Sequence, residues 1–133
     1  MSDNYYTVGL DFDGTCVKHK FPHLGEDVPH CVRVLHWLKT QNALFILNSM
    51  RSGSQLQDAL NWFSARRIEL YGINHHPKQR EWTSSPKVLA DLYIDDLALG
   101  IPLIIEDGHR PYVDWIGVEN LLKTTRINVI PMI

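Results

Sequence analysis

Short apolar runs alternate along the chain with amphipathic stretches, and that alternation predicts the elements before any other feature is used. Thr7 to Phe12 (TVGLDF) is an apolar run ending in Asp-x-Asp-Gly, a buried strand followed by a turn. Val28, Val32, Leu35 and Leu38 recur at helical spacing, so 28–40 is predicted as a helix. Pro29 falls in its first turn, where a missing N–H does no harm. Ala43 to Leu47 (ALFIL) is a second buried strand, and Ser54 is placed to cap a helix carrying Leu56, Leu60 and Phe63 on one face. Glu69 to Ile73 and Asp91 to Ile94 read as further strands, and Pro102 to Ile105 as a short last one. Asp114 to Lys123, with Trp115, Val118 and Leu122 on one side, closes the pattern as a helix.

Strands alternating with helices predict βαβ units, hence an α/β fold: a three-layer, Rossmann-like parallel sheet with helices on both faces, in one domain over 1–133. In such sheets the binding crevice lies beyond the carboxyl ends of the strands. The rule singles out Asp11 to Thr15, Asn48 to Gly53, Asn74 to Trp82, Asp95 to Gly100 and Glu106 to His109.

Composition narrows the classes. A chain of 133 residues, 44% hydrophobic and 21% charged, is long enough for one core and is not a disordered polymer. Thirteen Lys and Arg against fifteen Asp and Glu leave a net charge of -2, so nucleic acid is not indicated as a partner. No apolar run is long enough to cross a membrane, and Met1 to Tyr6 lacks the basic and apolar parts of a leader. Cys16 and Cys31 have no metal-site spacing. A cytoplasmic chain with reduced thiols and no membrane partner is the expectation. Oligomeric state has no signature in the pattern.

The chemistry gathers at the predicted strand ends. Asp11 and Asp13 are two carboxylates two residues apart, able to reach one cation or one phosphoryl group, and Gly14 permits a sharp exit. Asp-Gly is also an ordinary turn pair. A calcium loop is excluded, because Cys16 stands where that loop needs glycine. In Asn48-Ser49-Met50-Arg51-Ser52-Gly53 a hydroxyl and successive N–H groups precede a helix, which suits an anion and equally suits a plain N-cap segment. Lys87 precedes the adjacent pair Asp95-Asp96, and neighbouring buried carboxylates are costly without a cation.

Taken in order, these segments resemble the haloacid dehalogenase (HAD) superfamily. Asp11-Phe12-Asp13-Gly14-Thr15 matches its first motif, D-x-D-G-T, in full; Ser49 matches the second-motif hydroxyl, Lys87 the third-motif lysine, and Tyr93 to Asp96 (YIDD) the acidic fourth motif. Small bacterial members show W-T-x-R-x-G at the second motif, where this chain has Asn48 for Trp and Ser49 for Thr but retains Arg51 and Gly53. A bacterial receiver domain combines similar residues in another order and is excluded, because here the last acidic pair follows the lysine.

The resemblance implies a Mg²⁺-dependent phosphatase. Asp11 is then the nucleophile, forming an aspartyl-phosphate, and Asp13 the acid and base, neutral when substrate binds. Mg²⁺ is expected on the Asp11 side chain, the Asp13 carbonyl and Asp96, with Asp95 behind them or exchanging roles with Asp96. Ser49, the Met50 N–H and Lys87 are expected to hold phosphoryl oxygens. Lys78 is a rival for Lys87, which is preferred because a helix leading into the strand holds a lysine better than a loop does.

The intervals from Thr15 to Ser49 and from Ser49 to Lys87 are too short for an independent cap domain, so an open, capless site is expected. Substrate choice then falls to Arg51, a planar grip for an anion, and to the basic, aromatic loop His75 to Trp82, itself equally readable as a solvated turn. Lys18, His19, Lys20 and His23 add positive charge at the entrance. His30, His36 and the His75-His76 pair read as packing or surface residues rather than metal ligands. The expected partner is a small phosphorylated substrate. A phosphorylated protein or nucleic-acid end, and a non-catalytic phosphate- or partner-binding module of the same fold, are the alternatives.

Overall fold

The computed structural model describes residues 4–125 and 127. The elements are β1 (Tyr6–Leu10), α1 (Cys31–Thr40), β2 (Ala43–Leu47), α2 (Gly53–Ala65), β3 (Leu70–Ile73), a 3-10 turn (Gln79–Glu81), β4 (Leu92–Ile94), β5 (Leu103–Ile104), β6 (Tyr112–Val113) and α3 (Trp115–Thr124). β1 to β4 form one parallel sheet in the order β3-β2-β1-β4, flanked by helices in a Rossmann-like arrangement. The chain steps outward from β1 to β3 and then returns to the other side of β1. That reversal places the crevice of an open α/β sheet between β1 and β4.

Alternate strand residues explain the layers. Val8 and Leu10 of β1, with Phe45 and Leu47 of β2, join Val34, Leu35 and Leu38 of α1, Trp62 and Phe63 of α2, and Trp115 and Val118 of α3 in one buried cluster. The opposite side of β1 is met differently. Thr7 Oγ1 donates to the Asp91 carboxylate at 3.1 Å, and a side chain at Gly9 would lie 2.6 Å from the Tyr93 ring. All three α-helices thus feed one cluster, and the second face meets the 3-10 turn's segment, 74–91, in place of the α-helical layer expected there.

Other expectations are corrected at the ends of elements. α1 starts at Cys31, not Val28, because His30 takes a left-handed conformation (φ 67°) that leaves Pro29 outside the helix. Val28 is buried for another reason: its N–H bonds the Cys16 carbonyl at 2.9 Å and anchors the loop after the first motif. Ser52, not Ser54, is the N-cap of α2. The strand expected over 102–105 does not join the parallel sheet; β5 pairs antiparallel with β6. Cys16 and Cys31 are buried free thiols. No helix among the described residues is long and apolar enough to cross a membrane.

Candidate functional site

Backbone bonds at the carboxyl edge fix the candidate residues side by side. The Asp11 N–H donates to Ile94 O at 3.0 Å, the Asn48 N–H to Leu10 O at 2.8 Å, and the Asn74 N–H to Leu47 O at 2.7 Å. Along the edge the order is Asn74, Asn48-Ser49, Asp11, then Asp95-Asp96, which is the strand order itself.

Asp11, Asp95 and Asp96 each offer a carboxylate oxygen, and these lie within 4.8 Å of one another. Thr15 joins the two ends of the cluster, donating to Asp11 Oδ2 at 2.9 Å and accepting from the Asp96 N–H at 3.2 Å. Gly14 is required twice over. Its φ is +83°, and a Cβ there would lie 2.1 Å from His19 Nε2 and 2.4 Å from Asp96 Oδ2. Burial, the Asp96 carboxyl and the Asp95 charge together push the Asp11 carboxyl up to about 8, with the Thr15 hydroxyl acting weakly the other way. Three carboxylates this close, one with its charge so disfavoured, fit a hard divalent cation of oxygen-ligand chemistry. Both Asp95 and Asp96 reach the cluster.

Arg51 does not stand as expected. The Arg51 guanidinium donates to both Asp13 carboxylate oxygens at 2.7 Å. Asp13 therefore accepts from Arg51 through both carboxylate oxygens, which fixes the orientation of its carboxyl group. Arg51 is buried at 3% exposure and turned inward, so the expected grip on an anionic substrate is replaced by an internal ion pair. The physical reason is the loop 16–28, which closes over the guanidinium and offers it carbonyls instead of solvent.

Ser49 and Met50 occupy the expected turn. Ser49 Oγ accepts from the Arg51 N–H at 3.1 Å, the Ser49 N–H donates to Asn74 Oδ1 at 2.9 Å, and the Met50 side chain is exposed. Lys87 is not on a helix; the chain over 83–90 is irregular. What holds it is Gln79, whose buried amide donates to Lys87 O at 2.5 Å and Ser85 O at 3.1 Å and accepts from the Leu89 N–H at 3.0 Å. Lys87 lines a cavity of about 480 Å³ shared with Asn48 and Asp95. Lys78, its rival, is exposed at the N-cap of the 3-10 turn.

In the loop 75–82, His76 and Gln79 are buried and Lys78, Arg80, Glu81 and Trp82 are exposed. His76 Nδ1 accepts from the Lys78 N–H at 3.0 Å, its ring meets Tyr71 edge-on, and burial lowers its basicity. His75 bonds Ile73 O at 3.0 Å and His36 bonds Arg66 O at 2.9 Å, both packing roles as expected.

Sequence reasoning passed over two side chains as individuals. His19 Nε2 lies 2.8 Å from Asp96 Oδ2, making it the one residue of the basic entrance group that touches the acidic cluster. Asn74 takes a left-handed backbone (φ 57°) and braces Ser49. Asparagine at a strand end, where that conformation is tolerated, was the available signal. For His19 the signal was position alone, just beyond the first motif.

No family model matches the sequence, and no curated protein matches it. The solved structure of a conserved protein from Bacteroides thetaiotaomicron is similar to this chain, with 36% identity and a TM-score of 0.76, over 91% of this chain and 92% of that one.

Proposed function

This chain belongs to the family of that conserved Bacteroides thetaiotaomicron protein, and from the residues of its own site we propose that it is a capless, HAD-like, Mg²⁺-dependent phosphatase that hydrolyses a phosphomonoester through an aspartyl-phosphate on Asp11. The observation that carries the reading is the meeting of Asp11, Asp95 and Asp96 at the strand crossover, on a D-x-D-G-T turn.

Mg²⁺ would be held by Asp11, Asp95, Asp96 and the Asp13 carbonyl, and when bound it supplies positive charge to the phosphoryl oxygens. Asp11 Oδ attacks phosphorus as the bond to the leaving oxygen breaks, and Asp13 gives that oxygen a proton. Asp13 then takes a proton from the water that cleaves the acyl phosphate. Ser49, the Met50 N–H and Lys87 hold the phosphoryl oxygens, donors set in place before reaction.

Between Thr15 and Ser49 the chain spends its length on a loop, α1 and β2, and between Ser49 and Lys87 on α2, β3 and the 3-10 turn. These short intervals support an open site without an independent cap domain. A small phosphorylated compound is the substrate class proposed, and the same openness would admit a phosphorylated protein or nucleic-acid end.

A panel of sugar, nucleotide, protein and nucleic-acid-end phosphates, assayed with and without Mg²⁺, tests the reading. Mg²⁺-dependent phosphate release is expected, and Asp11→Asn should abolish it. Folded protein inactive on every substrate would leave the binding module as the better reading, and a near-wild-type rate for Asp11→Asn would remove Asp11 as nucleophile.

A further inference from the structure

We propose that Arg51 is a positioning residue for the acid–base carboxylate Asp13, locking its orientation and tying it to the loop at 21–23, and that it makes no contact with substrate. The proposal rests on the phosphatase reading and adds a role for a residue that this reading leaves unused.

A guanidinium has five N–H donors in a fixed fork, and here all five are taken. Nε donates to Asp13 Oδ2 at 2.7 Å. Nη2 donates to Asp13 Oδ1 at 2.7 Å and to His23 O at 2.9 Å. Nη1 donates to Pro22 O at 3.4 Å and Gln55 O at 3.2 Å. The Phe12 and Phe21 rings each lie 5.2 Å from the guanidinium carbon, and the side chain is 1% exposed. No donor is left for a phosphate or a sugar hydroxyl.

The same bonds define what Arg51 does hold. The Asp13 backbone is already fixed, with Asp13 bridged to Val17 and the Gly14 N–H on Val17 O at 2.7 Å. Only the carboxyl torsions remain free, and a two-point fork removes them. An acid that must protonate one particular oxygen gains from this, since proton transfer depends on geometry before anything else. The Pro22 and His23 bonds extend the constraint to the loop beyond the motif, so the loop and the acid are held by one group.

In the step concerned, the Asp11–phosphorus bond forms, the phosphorus–oxygen bond to the leaving group breaks, and the Asp13 proton passes to the departing oxygen. A nitrophenolate leaves without that proton; an alkoxide does not. Misplacing Asp13 therefore harms alkyl phosphates far more than aryl ones, whereas a general loosening of the fold slows both alike.

The experiment measures kcat/KM with Mg²⁺ for p-nitrophenyl phosphate and β-glycerophosphate, in wild type, Arg51→Lys, Arg51→Met, Asp13→Asn and the Arg51→Lys/Asp13→Asn double variant. The ratio of the two constants should shift against the alkyl ester by about tenfold or more in Arg51→Met, within the range of acid–base contributions. Arg51→Lys, which keeps the charge and the packing stem but loses the fork, should shift it in the same direction by less. In the Asp13→Asn background Arg51→Lys should leave the ratio unchanged. Equal losses on both esters, or an undiminished ratio shift in the double variant, would overturn the positioning role. Should Arg51→Met not fold, Arg51→Lys decides alone. A folded wild-type protein inactive on both esters and on the wider panel overturns instead the phosphatase reading beneath it.

Discussion

Asp11 is surrounded by groups that disfavour its charge, and that gives a test of the metal site at the level of one residue. Its folded-state value near 8 lies above the ordinary 3.8. A raised carboxyl contributes stability below its unfolded value and loses it as pH rises through the folded one. Without divalent cation, thermal stability should fall between about pH 4 and about pH 8. Adding Mg²⁺ should raise Tm more at the alkaline end, and Asp11→Asn should remove that difference. A Mg²⁺ effect equal at both ends, or absent, would contradict the cluster as a cation site. At Asp13 the ion pair predicts a stability cost as well. Asp13→Ala leaves a guanidinium of 1% exposure without its carboxylate, a loss of about 3–5 kcal/mol. Urea unfolding measures it, and a loss below about 1 kcal/mol would mean that the pair is not held as described. The acidic residues were legible from their spacing; the Arg51 pairing was not. Guanidinium beside a phosphate-type turn reads as a substrate contact until the loop 16–28 is seen to close over it.

Among elements, the parallel strands were the most legible because each is a short apolar run that only burial explains, and β2 matches its sequence expectation residue for residue. Helix starts were not, since they turn on single backbone angles such as that of His30. Nor was the β5–β6 pairing, because two-residue strands carry no periodicity. That ribbon still serves the site. The Val113 N–H donates to Gly14 O at 3.0 Å, and Trp115 Nε1 donates to Thr15 O at 2.7 Å, so both glycine and threonine of the first motif are held from behind. From the other side, the end of β3 supports the Ser49 turn through Asn74. Asn74→Gly keeps the left-handed backbone and removes the acceptor. It should raise KM for a phosphorylated substrate by about threefold to tenfold, the worth of one hydrogen bond, with a smaller effect on Tm. An unchanged KM would show that the turn needs no brace.

For the whole molecule, one topological reversal organises the rest. It puts β1 between β2 and β4, and so sets the strand that leads to Asp11 beside the strand of the acidic pair. The loop after β1 folds inward onto Arg51, and the segment after β3 is stapled by Gln79 so that Lys87 lines the same edge. The chemistry proposed for that edge has one obligatory feature, a phosphoryl group that rests for a time on Asp11. Mixing Mg²⁺-loaded protein with a substrate it hydrolyses, quenching in acid and sequencing the peptides by mass spectrometry reads it directly. One phosphoryl group on the peptide carrying Asp11, removed by hydroxylamine and missing from Asp11→Asn, is the expected result. Phosphate release with no label at Asp11 under single-turnover quenching, or with label on another residue, would contradict it.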